Sequence, residues 1–204
     1  MVKPALDLPM VQVESRQAWR AWLETNHATH GSIWLVTFRK AAGERHLPYA
    51  AIVEEALCFG WIDSLPRALD DERTMLLLCR RKDGSAWSKA NRDRVDRLIA
   101  DGRMTPAGLA CVERAKAAGR WAFLEAVDAL AVPADLEAAL AVEPAAAANF
   151  AAFPPSVRRG ILEWITQAKR PETRAKRVRE TARLAALNRR ANQFREPKAT
   201  PAKG

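Results

Sequence analysis

Between Glu54 and Asn91 the chain concentrates side chains able to do chemistry. The first group is Glu54-Glu55-Ala56-Leu57-Cys58-Phe59-Gly60-Trp61-Ile62-Asp63-Ser64. A helical spacing of apolar residues ends at Gly60, which permits a tight backbone turn, and an extended segment follows. Trp61 and Asp63 are two apart on that segment, so both point to one face and present an indole beside a carboxylate. Such a pair either floors a ligand pocket or splits into a core tryptophan and a carboxylate held by an arginine or a backbone amide. The second group runs from Arg80 to Arg92. A basic strand end passes through the turn Asp83-Gly84 into a helix start, where free N–H groups, a Ser88 cap and the flanking Arg80, Lys82 and Lys89 would attract an anion. Trp87 would add a stacking surface. The alternative is a solvated basic turn with an ordinary cap.

Two other clusters carry charge. Asp70-Asp71-Glu72-Arg73 places carboxylates side by side, the raw material of a metal site or a displaced proton. Neighbours on a turn diverge, however, and no second set of ligands at recognisable spacing accompanies them, so no metal and no cofactor are expected. The segment from Arg170 to Arg183 interleaves Arg174, Lys176, Arg177, Arg179 and Arg183 with an apolar stripe of Ala175, Val178, Ala182 and Ala185. One face would dock while the cations grip nucleic acid phosphates or an acidic surface, or simply stay solvated. Nucleophilic catalysis has no marked centre. His27, His30 and His46 all precede Cys58 and Ser64, and Cys58 falls within an apolar helical pattern that reads as core packing.

The elements that must position these groups can be read from caps and periodicity. Ser15 before Trp19, Trp22 and Leu23 predicts a capped amphipathic helix that ends near Gly31. The run Ile33–Phe38 predicts a strand. Pro48 opens a helix through Ile52, Val53, Ala56 and Leu57 to Gly60. The apolar runs on either side of Asp70–Arg73 predict a hairpin, with Pro66 consigning its first strand to a sheet edge. Ser85 or Ser88 caps a helix ending at Asp101-Gly102; Thr105 and Pro106 open another that stops at Gly119. Proline-bounded, alanine-rich helices follow, with a last helix from Pro171 to about Arg190. The expected fold is α+β and helix-rich: a small antiparallel sheet of about three strands covered by helices, then a helical C-terminal region. The expected boundaries are an α+β domain over 1–132, a basic helical region over 133–195 and a disordered tail over 196–204.

Bulk properties narrow the class. The chain has 204 residues, 49% of them hydrophobic and 28% charged, ordinary values for a globular protein. Its net charge of +9 is uneven: residues 1–155 carry 19 Lys/Arg against 20 Asp/Glu, and residues 156–204 carry 14 against 4. Three widely spaced cysteines without a CxxC pair suggest reduced thiols. With no signal-like apolar run behind Lys3 and no span-length apolar segment, the expected location is cytoplasmic.

Four separated segments then carry a resemblance: EEALCFGWIDS (54–64), LDDER (69–73), WSKANRDRVDRLIADGRMTPAG (87–108) and FPPSVRRGILEWITQAKRPETRAKRVRET (153–181). Over roughly Trp19 to Asn188 the chain resembles the YdeI or OmpD-associated, bacteriocin-protection family. The resemblance implies resistance to cationic antimicrobial peptides and to envelope stress, and it brings no reaction class or catalytic set. Within its motifs, Arg73 and Asn91 join Trp61, Asp63, Arg80, Trp87, Ser88 and Lys89 as candidate ligand-binding residues. The expected function is a stress-resistance protein that binds a small anionic or aromatic ligand in a Trp/Asp/Arg pocket. Two alternatives stand beside it. One is an enzyme acting on a small polar or phosphorylated compound, with Asp63 as acid or base and Arg80 or Lys89 as anion clamp. The other is a nucleic-acid binder using Arg174, Arg177, Arg179 and Arg183.

Overall fold

A computed structural model describes residues 7–192. The tail over 196–204 lies outside the described residues. The chain divides into two compact units, Met1–Phe123 and Leu124–Gly204.

The first unit runs β1 (Met10–Gln12), α1 (Arg16–Asn26), β2 (Ser32–Phe38), a 3-10 segment (Lys40–Arg45), α2 (Tyr49–Cys58), β3 (Trp61–Ala68), β4 (Arg73–Arg80), α3 (Lys89–Ala100) and α4 (Pro106–Ala117). The capping chemistry holds where the sequence places it. Ser15 accepts from the Ala18 N–H, Ser88 from Asn91 and Thr105 from Gly108. β3 and β4 form the hairpin, and β3 is an edge strand with a register shift between Asp63 and Pro66. There the missing proline N–H leaves no gap in an interior ladder.

The sheet corrects one expectation. It has four strands in the order β1-β2-β4-β3, and β1 runs parallel to β2, so the sheet is mixed rather than wholly antiparallel. β1 spans only three residues, too few to show an alternation, and its pairing comes from β2 alone.

Both faces of β2 are covered, as its run of buried residues from Ile33 to Phe38 requires. On one face Ile33 and Leu35 lie opposite Leu78 and Leu76 and pack with Trp19, Leu23, Ile52, Val53, Ala56 and Leu57 of α1 and α2. Complete burial of a leucine such as Leu23 or Leu57 contributes about 2 kcal/mol. On the other face Trp34, Val36 and Met75 form a smaller cluster with Leu8, Leu69 and Leu77.

Two glycines shape the joint between α2, β3 and α4. Gly60 has φ +74°, the left-handed turn that ends α2, and its carbonyl accepts from the Arg81 N–H at 2.9 Å. Gly108 lies where α4 crosses the end of α2: a Cβ there would stand 2.2 Å from the Cys58 carbonyl oxygen.

The second unit contains α5 (Glu125–Asp128), α6 (Ala134–Val142), α7 (Ala146–Ala152), α8 (Pro155–Thr166) and α9 (Pro171–Ala186). Proline occupies the first turn of α8 and α9, where its missing N–H is harmless. The inward face of α9 consists of Val178, Thr181, Ala182 and Ala185, against α6, α7 and α8. Ala175, expected on that stripe, is exposed. Asn149 of α7 donates to the Ala185 carbonyl at 2.8 Å, and Arg159 of α8 pairs with Asp128 and Glu163.

Candidate functional site

The turn at Gly60 sets Trp61 opposite Arg80 and Asp63 opposite Leu78, so Trp61 and Asp63 share the helix-covered face of the sheet. Their surroundings separate them. Trp61 is fully buried, donates its indole N–H to the His27 carbonyl at 3.2 Å and meets Trp22 edge-on at 6.0 Å. Trp87 is also buried. The Arg81 guanidinium lies 3.7 Å from its ring centroid and Trp121 lies at 4.9 Å, while Arg92 donates to the carbonyls of Trp87 and Trp121. Both indoles are therefore occupied by the fold, and neither offers a free face for stacking. Arg81 itself is 8% exposed, and burial pushes its pKa down to about 10, which leaves it cationic at neutral pH.

The other candidates scatter. Ser88 caps α3 and Lys89 pairs with Asp93 at 2.7 Å. Arg80 is exposed and reaches the Ala28 carbonyl at 3.4 Å. Arg73 stands at the opposite end of β4, where it binds Asp70 and Gln12 beside an open cleft of about 410 Å³ lined also by Phe38, Arg45, Asp71 and Glu72. Hydrogen bonding to Arg73 holds the Asp70 carboxyl below its ordinary pKa. No group of three or more metal-ligating side chains comes together among the described residues.

What the structure does bring together is a polar cluster on three elements. Asp63 of β3 accepts the Tyr49 hydroxyl at 2.7 Å from the first turn of α2. Arg94 of α3 lies near enough for its charge to act on that phenol, and it donates to the Asn91 side chain at 2.9 Å. Asp63 and Asn91 were legible as candidates; Tyr49 and Arg94 were not. The available signal was that Tyr49 is the single tyrosine of the chain, set directly after Pro48. Tyr49 is 55% exposed, so its phenol is bound to Asp63 while much of the residue stays open to solvent.

The cluster yields a direct test. Desolvation, then the hydrogen bond and charge of Asp63, push the Tyr49 pKa up to about 12, against a weaker opposing effect of Arg94. Because no other tyrosine is present, the rise in absorbance at 295 nm on ionisation reads this residue over a constant background from the seven tryptophans. The folded protein is expected to titrate near pH 12, and Asp63→Asn to lower the midpoint part of the way toward about 10, since the desolvation stays. The neutral phenol is the form favoured by folding, so its contribution to stability is complete below pH 10 and is lost as pH rises toward 12. Equal midpoints for wild type and Asp63→Asn would show that the Asp63 contact does not form.

A second charged cluster escaped the sequence reading. Glu55 has no exposed surface, and it accepts from Arg16 at 2.6 Å, from Arg20 at 2.9 Å and from Arg103. Its neighbour Glu54 binds Arg16 at 2.7 Å and Arg97 at 3.8 Å. Burial would lower the pKa values of Arg16 and Arg20, yet the bonds to Glu55, joined for Arg16 by Glu54, leave both raised. The sequence signal was present: Glu55 sits three residues after Ile52 and four before Phe59, on the apolar stripe of α2. The neighbouring thiol of Cys58 is pushed up to about 11 by burial, as befits a core cysteine.

In the second unit the cations of α9 divide. Arg174 makes a two-point pair with Asp135, and Arg177 donates to the Trp164 carbonyl with its guanidinium 4.9 Å from that ring. Lys176, Arg179 and Arg183 are exposed along a groove between α6 and α9. Of the four arginines expected to meet nucleic acid, two are thus engaged within the unit.

Taken together, the fold defines a two-unit α+β chain: a helix-covered mixed sheet with a tyrosine–carboxylate cluster, and a basic helical unit. Residues 129–188, within this second unit, match the model of the Bacteriocin-protection, YdeI or OmpD-Associated family. Residues 11–111 match a second model, a domain of unknown function designated DUF8412. No curated protein and no solved structure matches the chain significantly. Among the described residues no helix is long and apolar enough to cross a membrane.

Proposed function

We propose that the protein is a stress- and antimicrobial-peptide-resistance protein of the family matched by its second unit, and that its first unit binds a small anionic, aromatic ligand at Tyr49, Asp63, Arg94 and Asn91. The observation that carries this reading is the half-exposed Tyr49, fixed by its hydroxyl to Asp63, with the charge of Arg94 close enough to act on the phenol. A ligand ring stacks on the tyrosine, its anionic group meets the guanidinium, and a ring N–H or hydroxyl donates to the carboxylate. This keeps the ligand class read from the sequence and replaces the two buried tryptophans with Tyr49 as the aromatic surface.

Titration calorimetry with salicylate, indole-3-carboxylate and phenyl phosphate tests the site. A shallow surface site of this kind should bind at least one of them with Kd on the order of 0.1–1 mM. Arg94→Gln and Tyr49→Leu should each weaken that binding about tenfold, the loss of roughly one charge-assisted contact or one stacked ring. Equal binding by wild type and both variants, or no binding of any of the three, would overturn the assignment.

A further inference from the structure

The second unit carries a feature that the Tyr49 cluster does not explain. Between α6 and α9 runs a groove of about 700 Å³ lined by Ala139, Val142, Glu143, Lys176, Arg179, Glu180, Ala182 and Arg183. Its apolar lining is Ala139, Val142 and Ala182, and Val142 is 81% exposed although it ends a helix whose Leu136 and Leu140 are buried. Along one wall Lys176, Arg179 and Arg183 follow the spacing i, i+3, i+7 of a single helical stripe. The α9 cations that serve the fold, Arg174 and Arg177, are not part of it.

We infer that this groove docks an amphipathic, net acidic helix from a protein partner. An apolar stripe on the incoming helix covers Val142, Ala139 and Ala182, while acidic residues spaced by one helical turn pair with Lys176, Arg179 and Arg183. Seven residues of α9 separate the outer cations, about 10 Å at the helical rise, which matches two turns of a partner helix. Glu143 and Glu180 also line the groove, and they decide between classes of partner. A phosphate backbone or an anionic lipid headgroup offers no cation to these carboxylates, so both oppose it; a membrane covers the apolar lining but leaves the two glutamates unpaired. A peptide can set a lysine against each glutamate and a leucine against Val142. This inference is independent of the ligand proposed for the first unit.

The test uses the full chain and a fluorescein-labelled, 18-residue helical peptide with a leucine stripe flanked by glutamates and a single lysine. Its controls are a scrambled peptide of the same composition, a 20-base-pair DNA duplex and vesicles of phosphatidylglycerol. The patterned peptide should bind with salt-sensitive affinity and the scrambled one more weakly. The double variant Arg179→Glu/Arg183→Glu should weaken binding about tenfold or more. Val142→Asp should do the same, whereas Lys169→Glu, an exposed charge reversal outside the groove, should leave affinity unchanged. Circular dichroism confirms that each exposed substitution keeps the helical content. Equal binding of the scrambled peptide, indifference to the double variant, or binding of DNA or vesicles in place of the peptide would overturn the inference.

Discussion

Replacing Glu55 by glutamine is expected to destabilise the first unit by about 3 kcal/mol, against about 1 kcal/mol or less for Glu54→Gln. The two residues are adjacent and both pair with Arg16, so the contrast isolates burial. Glu55 has no exposed surface and is the common acceptor of Arg16, Arg20 and Arg103. Removing its charge leaves three guanidiniums converging on a neutral amide, whose NH₂ group would face N–H donors. The arginine side chains remain roughly one-third exposed, so water screens part of the repulsion and holds the effect at the lower end of the range for broken buried pairs. Glu54 keeps 17% side-chain exposure and its second partner is distant at 3.8 Å, which places it closer to a surface pair. Urea denaturation followed by tryptophan fluorescence measures both. Equal losses for the two variants would mean that the buried cluster has no special role.

Gly108→Ala should destabilise by about 3 kcal/mol, although alanine exceeds glycine in helix propensity by about 1 kcal/mol. The reason is a backbone contact. Thr105 gives both its N–H (3.1 Å) and its hydroxyl (2.6 Å) to the Cys58 carbonyl, drawing the first turn of α4 onto the end of α2. The new Cβ would stand 2.2 Å from that carbonyl oxygen and 2.7 Å from its carbon, and a backbone cannot rotate aside as a flexible side chain can. The helices must part by about an ångström to reach ordinary contact, stretching both Thr105 bonds. Gly160 is the control. It lies within α8 with nothing within 4 Å of its added Cβ, so Gly160→Ala should stabilise by about 0.5–1 kcal/mol. Denaturation midpoints of the two variants should therefore move in opposite directions. A shift of Gly108→Ala toward higher stability would refute the close approach.

The amino-acid sequence by itself determined the local elements, because their signals are local. Ser15, Ser88 and Thr105 cap helices through bonds to N–H groups three residues on, Pro106 and Pro171 open first turns, and Pro66 restricts β3 to an edge. The separation of charge was legible as well, since it is a count along the chain. Tertiary structure decided what spacing cannot carry. The parallel pairing of β1 depends on β2, more than twenty residues away. Trp61 and Asp63 share a sheet face as their alternation requires, yet packing buries the indole under Trp22 and hands the carboxylate to Tyr49. Glu55 finds Arg16, Arg20 and Arg103 across separations of 35 to 48 residues, and burial then sets the strength of those charges. Along α9 the sequence shows a row of equivalent cations. Only the fold distinguishes Arg174 and Arg177, held by Asp135 and Trp164, from Lys176, Arg179 and Arg183, which face the groove.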